Sequence, residues 1–245
     1  MKRTIDRPAR RAAVAALALL ASAAGTAPAG EGPIRVGERL SYSIQYGFVR
    51  AGTSELTVSV DTTDGSLLIR SRASTTPFFD VFFKVRDEIR SWIDPETLRS
   101  IRFEKRLSEG NYRDEEMVVF DHERGVAVYD NGKEVPLLPE ARDILASFFY
   151  FRTQRLPIGG EVPLVYHSSK KNWSIRVDVD KVEMVEVPAG RFRCIRVEPF
   201  LKSVGVFKQT GRLRIWVTAD ERRMPVKLES KVTFGAFEAV LTSYE

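Results

Sequence analysis

The chain has 245 residues, 38 basic and 33 acidic side chains, and a formal net charge of +5. Five of the basic residues and one acid fall in residues 1–24, so the rest is close to neutral, about +1. A basic field able to recruit nucleic acid is therefore absent beyond the start of the chain, and a lone cysteine, Cys194, excludes a disulfide within the chain.

Lys2, Arg3, Arg7, Arg10 and Arg11 precede an apolar run from Ala12 to Ala21, and small residues follow. This is the layout of a cleaved secretory signal peptide over 1–24, with a second small-residue site as late as 29. The run is too short for a spanning helix, which needs about 20 apolar residues. The expected organisation is a signal peptide, a linker over 25–33 and a β-rich domain over 34–245. No later run reaches spanning length, so no transmembrane span is expected in the mature chain.

From Glu38 the sequence alternates. Leu40, Tyr42, Ile44 and Tyr46 share one face and Arg39, Ser41, Ser43 and Gln45 the other, the period of a half-buried strand. Further strands are expected from Leu56 to Val60, Leu67 to Thr75, Lys84 to Ile93, Ile101 to Leu107, Tyr112 to Asp121 and Val126 to Tyr129, with turns between them. Between two strands lies Pro77-Phe78-Phe79-Asp80-Val81-Phe82-Phe83, the most apolar stretch beyond the leader, which does not alternate. The pattern over 139–152 predicts the one helix: Ile144, Leu145, Phe148, Phe149 and Phe151 fall on one face, and Pro139 suits a first turn.

The second half restarts. Gly160-Glu161 with Leu164 and Tyr166 echoes Gly37-Glu38 with Leu40 and Tyr42. Later strands are expected at Trp173 to Asp180, Val182 to Val187, Phe192 to Phe200, Phe207 to Thr218, Met224 to Phe234 and Ala236 to Tyr244. Trp92 and Trp216 each end a strand, and each is followed by an acidic turn and a strand of the same pattern, Ile101-Arg102-Phe103-Glu104 and Val226-Lys227-Leu228-Glu229. These hairpins read as equivalent parts of two halves, 34–138 and 158–245, joined by the helix. The fold expected is mainly β: a strongly twisted antiparallel sheet forming an incomplete barrel with the helix in its opening. A sandwich is the alternative.

Chemistry-bearing patterns are sparse. His122 sits in a turn, and His167 is followed by Ser168 on an extended chain, where neighbours point apart. No metal-ligand spacing and no glycine-rich phosphate loop occur, so no cofactor or metal is expected. Asp80, Asp87, Glu88, Asp114 and Glu116 could serve a glycan-acting hydrolase only by converging across a cleft; the plain reading is a solvated charged face. The aromatic content is more informative. Phe78, Phe79, Phe82, Phe83, Phe148 and Phe149, with Trp92 and Trp216, are either core that plugs the barrel or the lining of an apolar pocket or patch.

One ordered set of residues adds to this. Val36-Gly37-Glu38-Arg39-Leu40, Tyr46-Gly47, Ala51-Gly52, Val85-Arg86-Asp87 and Trp92-Ile93-Asp94 are followed by Asp143-Ile144-Leu145-Ala146, Phe151-Arg152 and Val187-Pro188-Ala189-Gly190-Arg191-Phe192. Ile215 through Asp220 and Arg223 through Val226 complete the set, with Gly235, Ala239 and Leu241. The chain resembles the bacterial family called domain of unknown function 3108. The resemblance implies secretion to the envelope and no established activity. It also implies a sheet similar to the incomplete barrels of lipoprotein carriers, whose concave face holds acyl chains, a fold-level analogy only. The expectation is a non-catalytic periplasmic or secreted protein that binds a lipid-like ligand or an envelope partner in a concave sheet. The alternatives are the glycan hydrolase and a scaffold that pairs through a sheet edge.

Overall fold

The alternating segments do fold as strands. The structure is a computed structural model that describes residues 32–199, 213–231 and 236–245. The expected signal peptide and most of the linker lie outside these residues, as do parts of the strands expected at 192–200, 207–218 and 224–234. Residues from Gly32 onward form one compact unit.

The first eight strands run as a meander: β1 (Arg39–Tyr46), β2 (Val49–Val60), β3 (Leu67–Thr75), β4 (Arg86–Ile93), β5 (Ser100–Glu109), β6 (Tyr112–Asp121), β7 (Val126–Tyr129) and β8 (Glu134–Pro136). After a long connection come β9 (Glu161–Ser168), β10 (Lys171–Val187), β11 (Gly190–Pro199), β12 (Leu213–Thr218), β13 (Pro225–Lys231) and β14 (Ala236–Tyr244). All fourteen join one antiparallel sheet in the order β8-β7-β6-β5-β4-β3-β2-β1-β14-β13-β12-β11-β10-β9. The first and last strands thus pair at its centre, and β8 and β9 are its two ends. The strands expected at 173–180 and 182–187 are one strand, β10, bent by a bulge between Val179 and Lys181. The bulge absorbs the break in alternation that divided the two expected strands.

Continuous strand pairing does not close the sheet into a barrel. Its two ends nevertheless meet. Arg142 makes an isolated parallel bridge to Tyr166 of β9, with the His167 amide donating to the Arg142 carbonyl at 2.7 Å. The Tyr129 hydroxyl of β7 lies 2.7 Å from His167 Nε2, and Asn172 Nδ2 donates to the Pro136 carbonyl at 2.8 Å. Burial pushes the His167 pKa down, with Asn172 opposing it, so the neutral ring belongs to the folded seam. A depressed folded pKa makes this stabilisation complete above the unfolded value of about 6.5 and removes it progressively as pH falls below that. The wild type is therefore expected to lose Tm faster than His167→Gln as pH is lowered from about 7.5 to 5, in thermal melts monitored by circular dichroism. Parallel curves would contradict this role.

Two helices occur among the described residues. The Phe-rich segment forms a single turn, α1 (Pro77–Asp80), with Pro77 at its start. The longer helix is α2 (Ile144–Thr153), five residues later than the pattern predicts. Pro139 and Glu140 form a turn, and Asp143 is the N-cap, accepting from the Leu145 and Ala146 amides at 2.9 and 3.0 Å. The capping oxygen, not the proline, fixes where this helix begins. The same carboxylate accepts from Ser91 Oγ and Ser100 Oγ, each at 2.6 Å, which ties the helix start to β4 and β5.

The sheet wraps around α2. Ala146 and Phe149 pack on Val58, Leu67, Ile69 and Ile93 of the first half. Phe151 packs on Val162, Leu164, Val177 and Val197 of the second. Arg152, at the helix end, is buried and makes a two-pronged ion pair with Glu38 at 2.7 and 2.8 Å. A second core gathers Leu40 and Tyr42 of β1 with Val187, Cys194, Trp216 and Leu241 of the second half. Burial pushes the Cys194 thiol up to about 12, so it stays protonated as a small apolar group.

Candidate aromatic surface at one end of the sheet

In a meander every second connection lies at the same end. The β1–β2, β3–β4 and β5–β6 connections therefore share one end of the sheet, and their contacts join them. The Thr76 amide donates to the Ala51 carbonyl at 2.9 Å, the Gly110 amide to the Lys84 carbonyl at 2.8 Å, and Val85 bridges Glu109. Gly110 has a positive φ of 54°, and a Cβ there would lie 2.8 Å from the Phe83 ring. Only glycine lets that ring lie against this turn.

This end is apolar and open to solvent. Phe48, at the tip of the β1–β2 turn, is fully exposed; Phe78 is 66% and Phe82 72% exposed, and Val81 and Phe83 are also exposed. Tyr46 and Phe237 pack nearby with tilted rings whose centroids are 4.9 Å apart. Phe78 makes edge contacts with Phe79 and Phe82 at 5.6 Å each, so the Phe segment is an ordered knob. Thr75 Oγ1 donates to Asp80 Oδ1, and Arg86 grips both oxygens of Asp80, holding its carboxyl below the usual range.

The eight aromatic residues singled out from the sequence do not form one surface. Phe78, Phe82 and Phe83 lie on the exposed end, with Phe79 half-buried beside them. Phe149 is 0% exposed in the core under the helix, and Phe148 is half-buried there. Trp92 and Trp216 are buried. The Trp92 indole N–H donates to Asp61 at 2.7 Å and that of Trp216 to Glu183 at 2.8 Å. Each Trp is the residue before a bulge, each faces a cation in register across its hairpin (Arg102 and Lys227), and each cation lies over the ring. Counted from the Gly-Glu pair, both sit on the fourth strand of their half. The matching construction explains the sequence echo: both are structural, held by a carboxylate and a cation. Sequence reasoning missed Phe48, Tyr46 and Phe237; the alternate-connection rule places Phe48 and Tyr46 at the end that carries the Phe segment, and β14 pairing with β1 brings Phe237 beside Tyr46.

A family model described as a protein of unknown function (DUF3108) matches residues 41–242. The chain belongs to the DUF3108 family. A search of the curated proteins finds no match. Among solved structures, the DUF3108 chain is similar to a β-barrel-like protein of the DUF1849 family from Brucella abortus, with a TM-score of 0.56 at 11% identity, covering 86% of this chain and 97% of that one. It is also similar to a proposed exported protein with a YmcC-like fold from Bacteroides fragilis, with a TM-score of 0.34 at 12% identity, over 87% of this chain and 98% of that one. The first likeness shows the fold: a barrel-like sheet left open. No described helix is long and apolar enough to cross a membrane.

Beside the aromatic end of the DUF3108 sheet runs a polar groove of about 680 Å³, whose lining includes Arg50, Glu55, Arg72, Arg86, Glu88 and Arg106. Arg72 and Glu88 are paired within it. Arg50 and Arg106 are exposed and make no ion pair among the described residues, and the same holds for Lys84 at the end of the Phe segment. Arg113 donates to the Gly110 and Tyr112 carbonyls, which leaves its charge uncompensated. Glu109 is held above the ordinary carboxyl range by burial and by Asp87. The rim of the aromatic end thus carries several basic side chains that make no ion pair among the described residues.

Proposed function

We propose that this DUF3108 chain is a non-catalytic exported protein of the bacterial envelope that binds an apolar, lipid-like ligand or partner at the aromatic end of its sheet. The observation that carries the reading is the exposure of Phe48, Phe78, Val81, Phe82 and Phe83 together on adjoining connections. A contiguous exposed apolar patch with a polar rim is the mark of an interaction surface. The basic and apolar layout of residues 1–24 supports export. The packing of Phe149 and Phe151 against both halves favours this end over the concave face as the place for binding.

Other readings have less support. Four of the five carboxylates weighed for glycan chemistry are engaged in ion pairs: Asp80 with Arg86, Glu88 with Arg70 and Arg72, and Asp114 and Glu116 with Lys105. The fifth, Asp87, accepts from the Ser108 amide at 2.9 Å and lies beside Glu109. Pairing through a sheet edge would need an open edge, but residue 142 already bridges β9, and β8 is three residues long and ends in Pro136. The test is titration with a fluorescent fatty-acid analogue. The wild type should bind saturably, and the Phe78→Ser/Phe82→Ser pair should bind about tenfold more weakly or worse with its Tm unchanged, since each buried Phe contributes about 1.5–3 kcal/mol. Equal binding by that pair, or none by the wild type, would count against the reading.

A further inference from the structure

We infer that the aromatic end docks on the surface of an anionic lipid bilayer; this rests on the apolar-binding reading above and names its partner. Shape is the first argument. The exposed side chains project from connection tips: Phe48 from the β1–β2 turn and Phe78, Val81, Phe82 and Phe83 from the β3–β4 connection. A tip cannot enclose a separate acyl chain, which needs a concave apolar site, and the groove beside it is lined by charge. A tip can enter a surface that closes around it, as aromatic and aliphatic side chains do at the headgroup–acyl boundary.

Charge is the second argument. Arg50, Lys84, Arg86, Arg106 and Arg113 stand around the aromatic end, against Asp80, Asp87 and Glu109; Glu55 and Glu88 of the groove are already paired, with Arg39 and with Arg70 and Arg72. The one acid on α1 is covered by Arg86, which also lines the groove. Lys84, Arg50 and Arg106 make no direct ion pair among the described residues, although Lys84 lies near Asp80 and Arg106 stands in register with Glu88 and Glu115, so they can meet lipid phosphates without first giving up an ion pair. Basic side chains beside an apolar anchor are attracted to anionic headgroups, and the attraction weakens with salt.

The third argument is order. Phe83 is fixed against Gly110, and Asp80 is tied to both Thr75 and Arg86. The knob is preorganised, and little conformational freedom is lost when it inserts.

The experiment is flotation with phosphatidylcholine vesicles, with and without phosphatidylglycerol. It compares the wild type, Phe78→Ser/Phe82→Ser and Arg50→Glu/Lys84→Glu, all with the same N terminus and checked for unchanged Tm. The wild type is expected to float with the phosphatidylglycerol vesicles and less with phosphatidylcholine alone, and to release as salt is raised. Each double variant is expected to lose about tenfold or more of the anionic-vesicle binding. Failure of the wild type to float, or floating of either variant at the wild-type level, overturns the inference. If the wild type fails to float but still binds the fatty-acid analogue through Phe78 and Phe82, the bilayer is the wrong partner and the apolar-binding reading stands. If it does neither, both fall.

Discussion

Arg152→Met is expected to destabilise the protein by about 3–5 kcal/mol, because it leaves the Glu38 carboxylate buried without its partner. Both groups are sequestered, and the guanidinium meets both carboxylate oxygens through Nη1 and Nη2, while Nη2 also donates to the Arg222 carbonyl at 3.1 Å. For a domain of this size the fall in Tm should be roughly 6–20 °C. The physics of a buried pair is asymmetric: removing one charge strands the other, whereas removing both takes away the desolvation penalty as well. Glu38→Leu combined with Arg152→Met should therefore recover most of the loss. A double-mutant cycle by urea unfolding reads this directly. Additive losses would show that each side chain acts through its own packing, not through the pair. The pair matters to the architecture because Glu38 precedes β1 at the sheet centre and Arg152 is in the last turn of α2. It fixes the plugging helix to the strand where the two halves join.

Phe149→Ala is the second large effect. The ring is fully buried among Val58, Leu67, Ile69 and Ile93, and truncating a packed Phe costs about 3–5 kcal/mol, including the cavity it leaves. Phe82→Ser, by contrast, should change stability by no more than about 0.5 kcal/mol, because its ring already faces solvent. The two substitutions remove aromatic rings that look alike in sequence and separate core from surface in a single unfolding series. A large loss for Phe82→Ser would place the Phe segment in the core after all.

Much of the fold was legible because period-two alternation is a local signal. β3, β6 and β7 lie where alternation puts them, and the paired Trp hairpins were visible from order and spacing alone. The helix was legible in kind but not in register. Pro139 is a strong start signal, but Asp143 caps, and its extra donors, Ser91 and Ser100, lie more than forty residues upstream in sequence. Apolar periodicity also could not foresee that Arg152 would point inward, since only Glu38, far along the chain, makes that burial tolerable. The site was legible in part. A run of Phe residues signals either core or patch, and which of the two depends on the end of the sheet the run falls at and on what covers it. Phe237 carries no local signal; it joins the patch only because β1 and β14, far apart in sequence, pair and bring their ends together.

Backbone hydrogen–deuterium exchange with and without phosphatidylglycerol vesicles tests most directly whether binding occurs at the aromatic end. The expected result is slower exchange in residues 46–50, 76–86 and 109–113 on addition of vesicles, with α2 and β9 unchanged. Slower exchange confined to α2, β9 and β10, with the aromatic end unaffected, would contradict it and return the binding site to the interior of the sheet.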